Sequence, residues 1–197
     1  MLFRSQYLAE HIPERVRAPG TYVAYSNYGT ALAGYIVERV SGMAWADYIQ
    51  TQLLDPLQMV DTNVHQPMSE DHANNHAQGY KWQGGRWIEE PYWFEHEAPA
   101  GVISATALDM ARWMQLHLHG GTLDGVQIMR SETAARMQEG LFQQHPAARP
   151  VLHGFYRADR NDQTIFGHGG DVNQFHSNMA DRKSTRLNSS HQIISYA

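Results

Sequence analysis

Pro19-Gly20-Thr21-Tyr22-Val23-Ala24-Tyr25-Ser26-Asn27-Tyr28-Gly29 is the stretch that decides how this chain is read. Pro19-Gly20 forms a turn, and Thr21 to Tyr25 is a short β-prone run. After Asn27 the apolar spacing becomes helical: Leu32, Ala33, Ile36, Val37 and Val40 share one face. Gly42 closes that helix, since a residue just past a helix end favours the left-handed conformation that glycine adopts without strain. Tyr-x-Asn at the start of a helix has a bland explanation, because an Asn there caps the first turn. In a chain with 10 Tyr the tripeptide also arises by chance, so its meaning depends on its surroundings.

Upstream, Ser5 to about Ile12 is weakly helical and stops at Pro13. Downstream, a second helix places Trp45, Tyr48, Ile49 and Leu53 at helical intervals and ends at Pro56. Asp71 to Ala77 is polar and shows no period. Tyr80 to Gln83 and Arg86 to Glu89 flank Gly84-Gly85, a two-residue hairpin signal. Thr106 with Asp109 matches a capping box, opening a helix to about His119 whose buried stripe is predicted as Met110, Trp113, Met114 and Leu118. Gly120-Gly121 stops it, and Ser131 caps a further short helix. Two β-prone runs, Gly154 to Arg157 and Thr164 to Phe166, are separated by the turn-rich Asp159-Arg160-Asn161-Asp162. Helices in the middle and strands at the end predict an α/β fold, a sheet flanked by a helical lobe.

Composition narrows the function. The 197 residues, 42% hydrophobic and 18% charged, fit one globular domain with a substantial core. A formal net charge of −5 without a Lys/Arg stripe argues against a nucleic-acid partner. No apolar run reaches the length of a transmembrane segment, and Met1-Leu2-Phe3-Arg4 is too short for a signal peptide. The absence of Cys excludes disulfides and thiolate metal sites. Among 12 His, the pairs His72/His76 and His117/His119 could hold zinc if a third ligand approached. No zincin motif accompanies them, so they read as solvated surface residues with no metal and no cofactor. Trp82, Trp87, Tyr92, Trp93 and Phe94 form an aromatic-rich patch that either lines a substrate cleft or packs beneath the hairpin.

Several separated elements fall in a recognisable order. These are Pro19-Gly20-Thr21, Tyr25-Ser26-Asn27-Tyr28-Gly29 and Gly34 through Ser41-Gly42, then Leu54-Asp55-Pro56-Leu57-Gln58-Met59 with Thr62. Pro99-Ala100-Gly101, Ser104, Thr106 and Asp109-Met110-Ala111-Arg112 follow, then Gly167-His168-Gly169-Gly170-Asp171. Over roughly residues 5 to 180 the chain resembles the serine β-lactamase-related family of class C β-lactamases, D-alanyl-D-alanine carboxypeptidases and related esterases. Gln58 stands where that family usually has glycine.

The resemblance implies a β-lactamase/transpeptidase-like αβα sandwich with a helical lobe, and a serine that attacks ester, amide or β-lactam carbonyls through an acyl-enzyme. It assigns Tyr25 and Asn27 to proton shuttling and substrate binding, and His168 to the third catalytic motif. Gly169 and Gly170 leave room for substrate against the backbone, and the Asp171 N–H supplies half of the oxyanion hole. His168 stands where many relatives have lysine; because imidazole is largely neutral near pH 7, this tilts the parent enzyme towards an esterase or peptidase. The nucleophile is missing, because no Ser-x-x-Lys occurs anywhere in the chain.

The expectation is therefore a partial domain over residues 1–181, lacking the nucleophile helix and the strands before it, and inactive by itself. Residues 182–197 are expected to be a poorly ordered, non-native polar tail of adapter read-through in place of a closing strand and helix. The implied partner is a small-molecule or peptide acyl substrate, and the implied compartment is periplasmic or secreted. The other reading is a non-catalytic homologue binding peptide or peptidoglycan fragments.

Overall fold

The structure, a computed structural model, describes residues 4–92, 94–183 and 192–196. It divides into two compact units: residues 1–16, 24–106 and 172–174 form one, and residues 17–23, 107–171 and 175–197 form the other.

The first unit holds α1 (Arg4–Glu10), α2 (Asn27–Ser41), α3 (Trp45–Ile49), α4 (Glu70–Asn75) and the hairpin strands β1 (Tyr80–Gln83) and β2 (Arg86–Glu89). Gly42 ends α2 as predicted, at φ 72°, with its N–H donating to the Glu38 carbonyl. The start of α2 corrects the sequence reading. Ser26, not Asn27, is the N-cap, its hydroxyl accepting from the Gly29 N–H at 3.0 Å. The run before it is irregular, because Thr21 to Tyr25 pairs with no strand.

The buried face of α2 also differs. Ala31 and Gly34 are buried, whereas Leu32, Ile36 and Val40 are 40%, 54% and 83% exposed. α1 packs against α2, and the Tyr28 hydroxyl donates to the Leu8 carbonyl at 3.0 Å. The apolar period finds a stripe, but the stripe is not what this unit covers.

After α3 the helix widens into a π-helical turn, Gln50–Leu54, in which the Asp55 N–H donates to the Gln50 carbonyl at 2.9 Å. This shifts the buried apolar residues from the predicted Leu53 to Leu54, Leu57 and Met59, with Trp45 buried as expected. Gln58 closes the turn at φ 54°, the left-handed region that strains any residue with a Cβ. That explains the glycine seen in the resemblance. Gln58→Gly should raise stability by about 0.5–1 kcal/mol, relieved strain outweighing the greater entropy of the unfolded glycine. A urea midpoint unchanged or lowered by Gln58→Gly would refute this.

Polar Glu70–Asn75 is helical because Ser69 caps it and Glu70 and Asp71 complement its N-terminus. The β1–β2 hairpin forms in the predicted register, Gln83 opposite Arg86, with Gly84 and Gly85 both at positive φ. Its tryptophans stand exposed instead of packing beneath it. Trp82 and Trp87 meet edge to face at 5.1 Å and are 57% and 66% exposed, while Tyr92 meets Phe94 and His76 separately. Trp93 lies outside the described residues.

The second unit holds α5 (Ala107–Leu118), the short strands β3 (Thr122–Leu123) and β4 (Val126–Gln127), α6 (Ser131–Met137), and a four-stranded antiparallel sheet. The sheet runs in order from β5 (Tyr156–Arg157) through β6 (Thr164–Asp171) and β7 (His176–Lys183) to β8 (Gln192–Tyr196). Met114, Leu152, Phe155, Phe166 and Met179 form its core, with Met110, Trp113 and Met137 packed against them. The α5 stripe holds for Met110, Trp113 and Met114, but Leu116 and His117 are buried where Leu118 was predicted. Ladder pairing runs past residue 181: β7 continues to Lys183 and Gln192–Tyr196 pairs with β7, while residues 184–191 and 197 of the expected tail lie outside the described residues. Gln192–Tyr196 carries Ile193, Ile194 and Tyr196, residues with strong strand preference, and β7 offers it an open edge.

Candidate active site

The first group of predicted site residues lies in the first unit. Tyr25 is the last residue before the Ser26 cap, and its side chain is 68% exposed. Asn27 is the first residue of α2 and is also exposed. Because the Ser26 hydroxyl satisfies the Gly29 N–H, capping does not consume the Asn27 amide, which keeps its donor and acceptor for other chemistry. The extended backbone of Ser26, φ −148° and ψ 113°, separates Tyr25 from Asn27 by one residue at the corner.

The second group lies in the second unit, on β6, which runs between β5 and β7. Gly167, His168, Gly169, Gly170 and Asp171 pair in unbroken register with Ala180, Met179, Asn178, Ser177 and His176. The three glycines differ in what they permit. A Cβ on Gly167 would drive into the Met179 carbonyl oxygen, so this glycine is demanded by strand packing, a role the sequence reading missed. A Cβ on Gly169 would meet nothing closer than the Ser177 carbonyl oxygen at 3.7 Å, whereas one on Gly170 would come within 2.7 Å of the Ser177 hydroxyl. Gly167→Ala should therefore cost about 1–3 kcal/mol, typical of an overpacked site. Gly169→Ala should stay within about 0.5 kcal/mol. Equal urea midpoints for the two variants would contradict this reading of β6.

The His168 ring stacks on Tyr156, centroids 5.0 Å apart and planes 21° apart, and its Nδ1 is hydrogen-bonded to the Gly169 carbonyl oxygen. Asp171 accepts from the His176 Nδ1–H at 2.6 Å across the end of the ladder. Both side chains of that pair are more than half exposed, so it contributes little stability. His176 was invisible in the sequence, because only the register puts it opposite Asp171.

The histidines proposed for zinc do other things. Ser69 Oγ and His72 Nδ1 are hydrogen-bonded at 2.8 Å, and His119 is exposed. His117 corrects the surface reading: it is 2% exposed, wedged edge to face against Trp113, Phe155 and Phe166. Neither of its ring nitrogens has a hydrogen-bond partner among the described residues, and burial pushes its pKa down to about 4. No group of three or more His, Cys, Asp or Glu among the described residues could hold a metal ion.

A family profile described as Beta-lactamase matches residues 4–187, nearly the whole chain. The chain belongs to the β-lactamase family. Among curated proteins, the chain is 26% identical to Protein flp of Staphylococcus aureus (strain MW2) over 81% of this chain and 30% of that protein. It is 33% identical to the Beta-lactamase of Escherichia coli (strain K12) over 51% of this chain and 26% of that protein. The solved structure of a class C β-lactamase in complex with cefoxitin superposes with a TM-score of 0.71 at 19% identity, covering 86% of this chain and 53% of the other. The fold is thus that of the β-lactamases and penicillin-binding proteins, and the family is one of serine hydrolases. The chain spans less than a third of the length of these two curated relatives. Among the described residues no helix is long and apolar enough to cross a membrane.

Proposed function

We propose that this chain supplies two of the three parts of a serine-hydrolase site that acts on ester, amide or β-lactam carbonyls through an acyl-enzyme. The 197-residue chain does not itself form that intermediate. The reading rests on Tyr25-x-Asn27 followed by His168-Gly169-Gly170, in that order, within a member of the β-lactamase family that contains no Ser-x-x-Lys.

A serine hydroxyl attacks a carbonyl only with a base beside it, and Tyr25 shares that task with the motif's lysine. A free tyrosine titrates near about 10, so it needs neighbouring positive charge to act as a base, and the lysine provides it. Asn27 donates to the substrate carbonyl and accepts from the lysine. Its freedom from capping duty supports this role. The Asp171 N–H stabilises the oxyanion together with the nucleophile's own N–H, and Gly169 and Gly170 let substrate lie along the strand. His168 in the lysine position favours ester or peptide substrates.

These roles require Asn27 and the β6 residues to serve one carbonyl. The chain has no Cys, so Asn27→Cys together with Gly169→Cys introduces the only two thiols, and Gly169 tolerates the added atoms. A short bis-maleimide should join the two within one molecule. Only single-site adducts or intermolecular dimers would sink the shared site. The absence of Ser-x-x-Lys also fits the second reading, a non-catalytic homologue that binds peptide or peptidoglycan fragments. A reading frame continuing above Met1 into Ser-x-x-Lys decides for the enzyme.

A further inference from the structure

We propose that the outward face of the β1–β2 hairpin is a binding site for an alkylated ammonium ion, with Trp82 and Trp87 as its walls and Glu89 as its counter-charge. The register fixes what shares that face. Trp82 stands opposite Trp87 and Tyr80 opposite Glu89, so alternation brings these four side chains to one side. It sends Lys81, Gln83, Arg86 and Ile88 to the other. Ile88 is half-buried, whereas Tyr80, Trp82 and Trp87 are 47%, 57% and 66% exposed. The usual order is reversed: the aromatic rings face solvent, and both cations of the strands lie on the side of Ile88.

A cross-strand Trp pair steadies a hairpin, but that role needs only the contact between the rings. The indole planes meet at 65° with centroids 5.1 Å apart, forming a corner, and both residues stay more than half exposed. Indole faces carry the negative part of the ring quadrupole and attract cations, alkylated ammonium groups above all. The Glu89 carboxylate, two residues along β2 from Trp87 and so roughly 7 Å away along the strand, adds the matching charge. It makes no ion pair among the described residues. The same carboxylate repels an anion. A phosphatidylcholine headgroup carries a phosphate beside its ammonium, so the occupant is a free cation of the choline type and not a membrane surface.

The test is a titration of the full chain with choline chloride, followed by the indole N–H signals in proton–nitrogen correlation spectra. Signals lost in Trp82→Phe and in Trp87→Phe assign the two rings, and sodium chloride replaces choline to hold ionic strength constant. Both indoles should shift together and saturate, with a dissociation constant on the order of 10 mM, what two exposed cation–ring contacts and one screened carboxylate supply. The neutral isostere of choline, with carbon in place of the charged nitrogen, should shift them about fivefold less at the same concentration. Glu89→Gln leaves both rings in place and should weaken choline binding about threefold. Amide signals of Gly84 and Gly85 report that the turn is intact in each variant. Shifts that do not saturate, equal shifts from the isostere, or unchanged affinity in Glu89→Gln would each overturn the proposal. So would binding to phosphatidylcholine vesicles without binding to choline. No nucleophile takes part, so none of these outcomes bears on the acyl-transfer reading.

Discussion

Tyr25→Phe, in this chain joined to an upstream segment that carries Ser-x-x-Lys, should slow acylation by about two to four powers of ten, the range typical of a lost general acid–base group. The substitution removes one oxygen and keeps the ring. Tyr25 is 68% exposed in the first unit and follows an irregular run, so packing gives the change little to damage. A loss of rate with an unchanged unfolding midpoint therefore isolates the hydroxyl's chemistry. Stopped-flow acylation by a chromogenic cephalosporin or an activated ester reads the rate. A rate within about twofold of wild type would move the proton-transfer role to another residue.

The second unit should lose stability on mild acidification because of His117. Its imidazole is buried among Trp113, Phe155 and Phe166, and neither nitrogen has a partner among the described residues to share a positive charge. Burial pushes its folded pKa down to about 4, whereas the unfolded chain titrates near 6.5. Between those values the unfolded state binds a proton that the folded state refuses, so stability falls as pH falls through this window. The full effect is about 3 kcal/mol, at about 1.4 kcal/mol per pH decade. Other acids share the neighbourhood: Asp109 lies two turns earlier on α5, and Asp181 stands opposite Phe166 in the β6–β7 ladder, both buried. His117→Phe keeps an aromatic ring in the cage and removes only the titration. Urea midpoints from pH 7 to pH 4 should fall steeply for wild type and much less for His117→Phe. Parallel profiles would show that the carboxylates alone govern acid sensitivity.

How far the sequence could be read follows from what local chemistry encodes. Gly84-Gly85 announced its hairpin because two successive positive-φ residues are what a two-residue turn requires. Asp124-Gly125 gives the same signal for the β3–β4 hairpin, with both residues at positive φ. The helical period on α2 was correct, yet Leu32, Ile36 and Val40 are exposed. A period shows which residues share a face but not which neighbour covers it. His117 looks like a surface residue in the sequence for a related reason. Its membership of the Trp113 stripe, one turn apart on α5, is local, but the two phenylalanines that enclose it arrive from distant segments. Tyr25 and His168 could be picked out only as members of an ordered motif set. The stack on Tyr156 and the collision that demands Gly167 depend on strand register, which no local pattern specifies.

The central claim is that the chain holds the Tyr-x-Asn and His-Gly-Gly parts of an acyl-transfer site but not its nucleophile. Intact-mass measurement after incubation with a fluorescent penicillin and with a fluorophosphonate tests it most directly. The 197-residue chain alone should keep its mass with both reagents. Joined to the Ser-x-x-Lys segment, it should gain one adduct on that segment's serine. Stoichiometric labelling of the chain alone, at Ser26 or Ser104, would contradict the account and place the nucleophile within these residues.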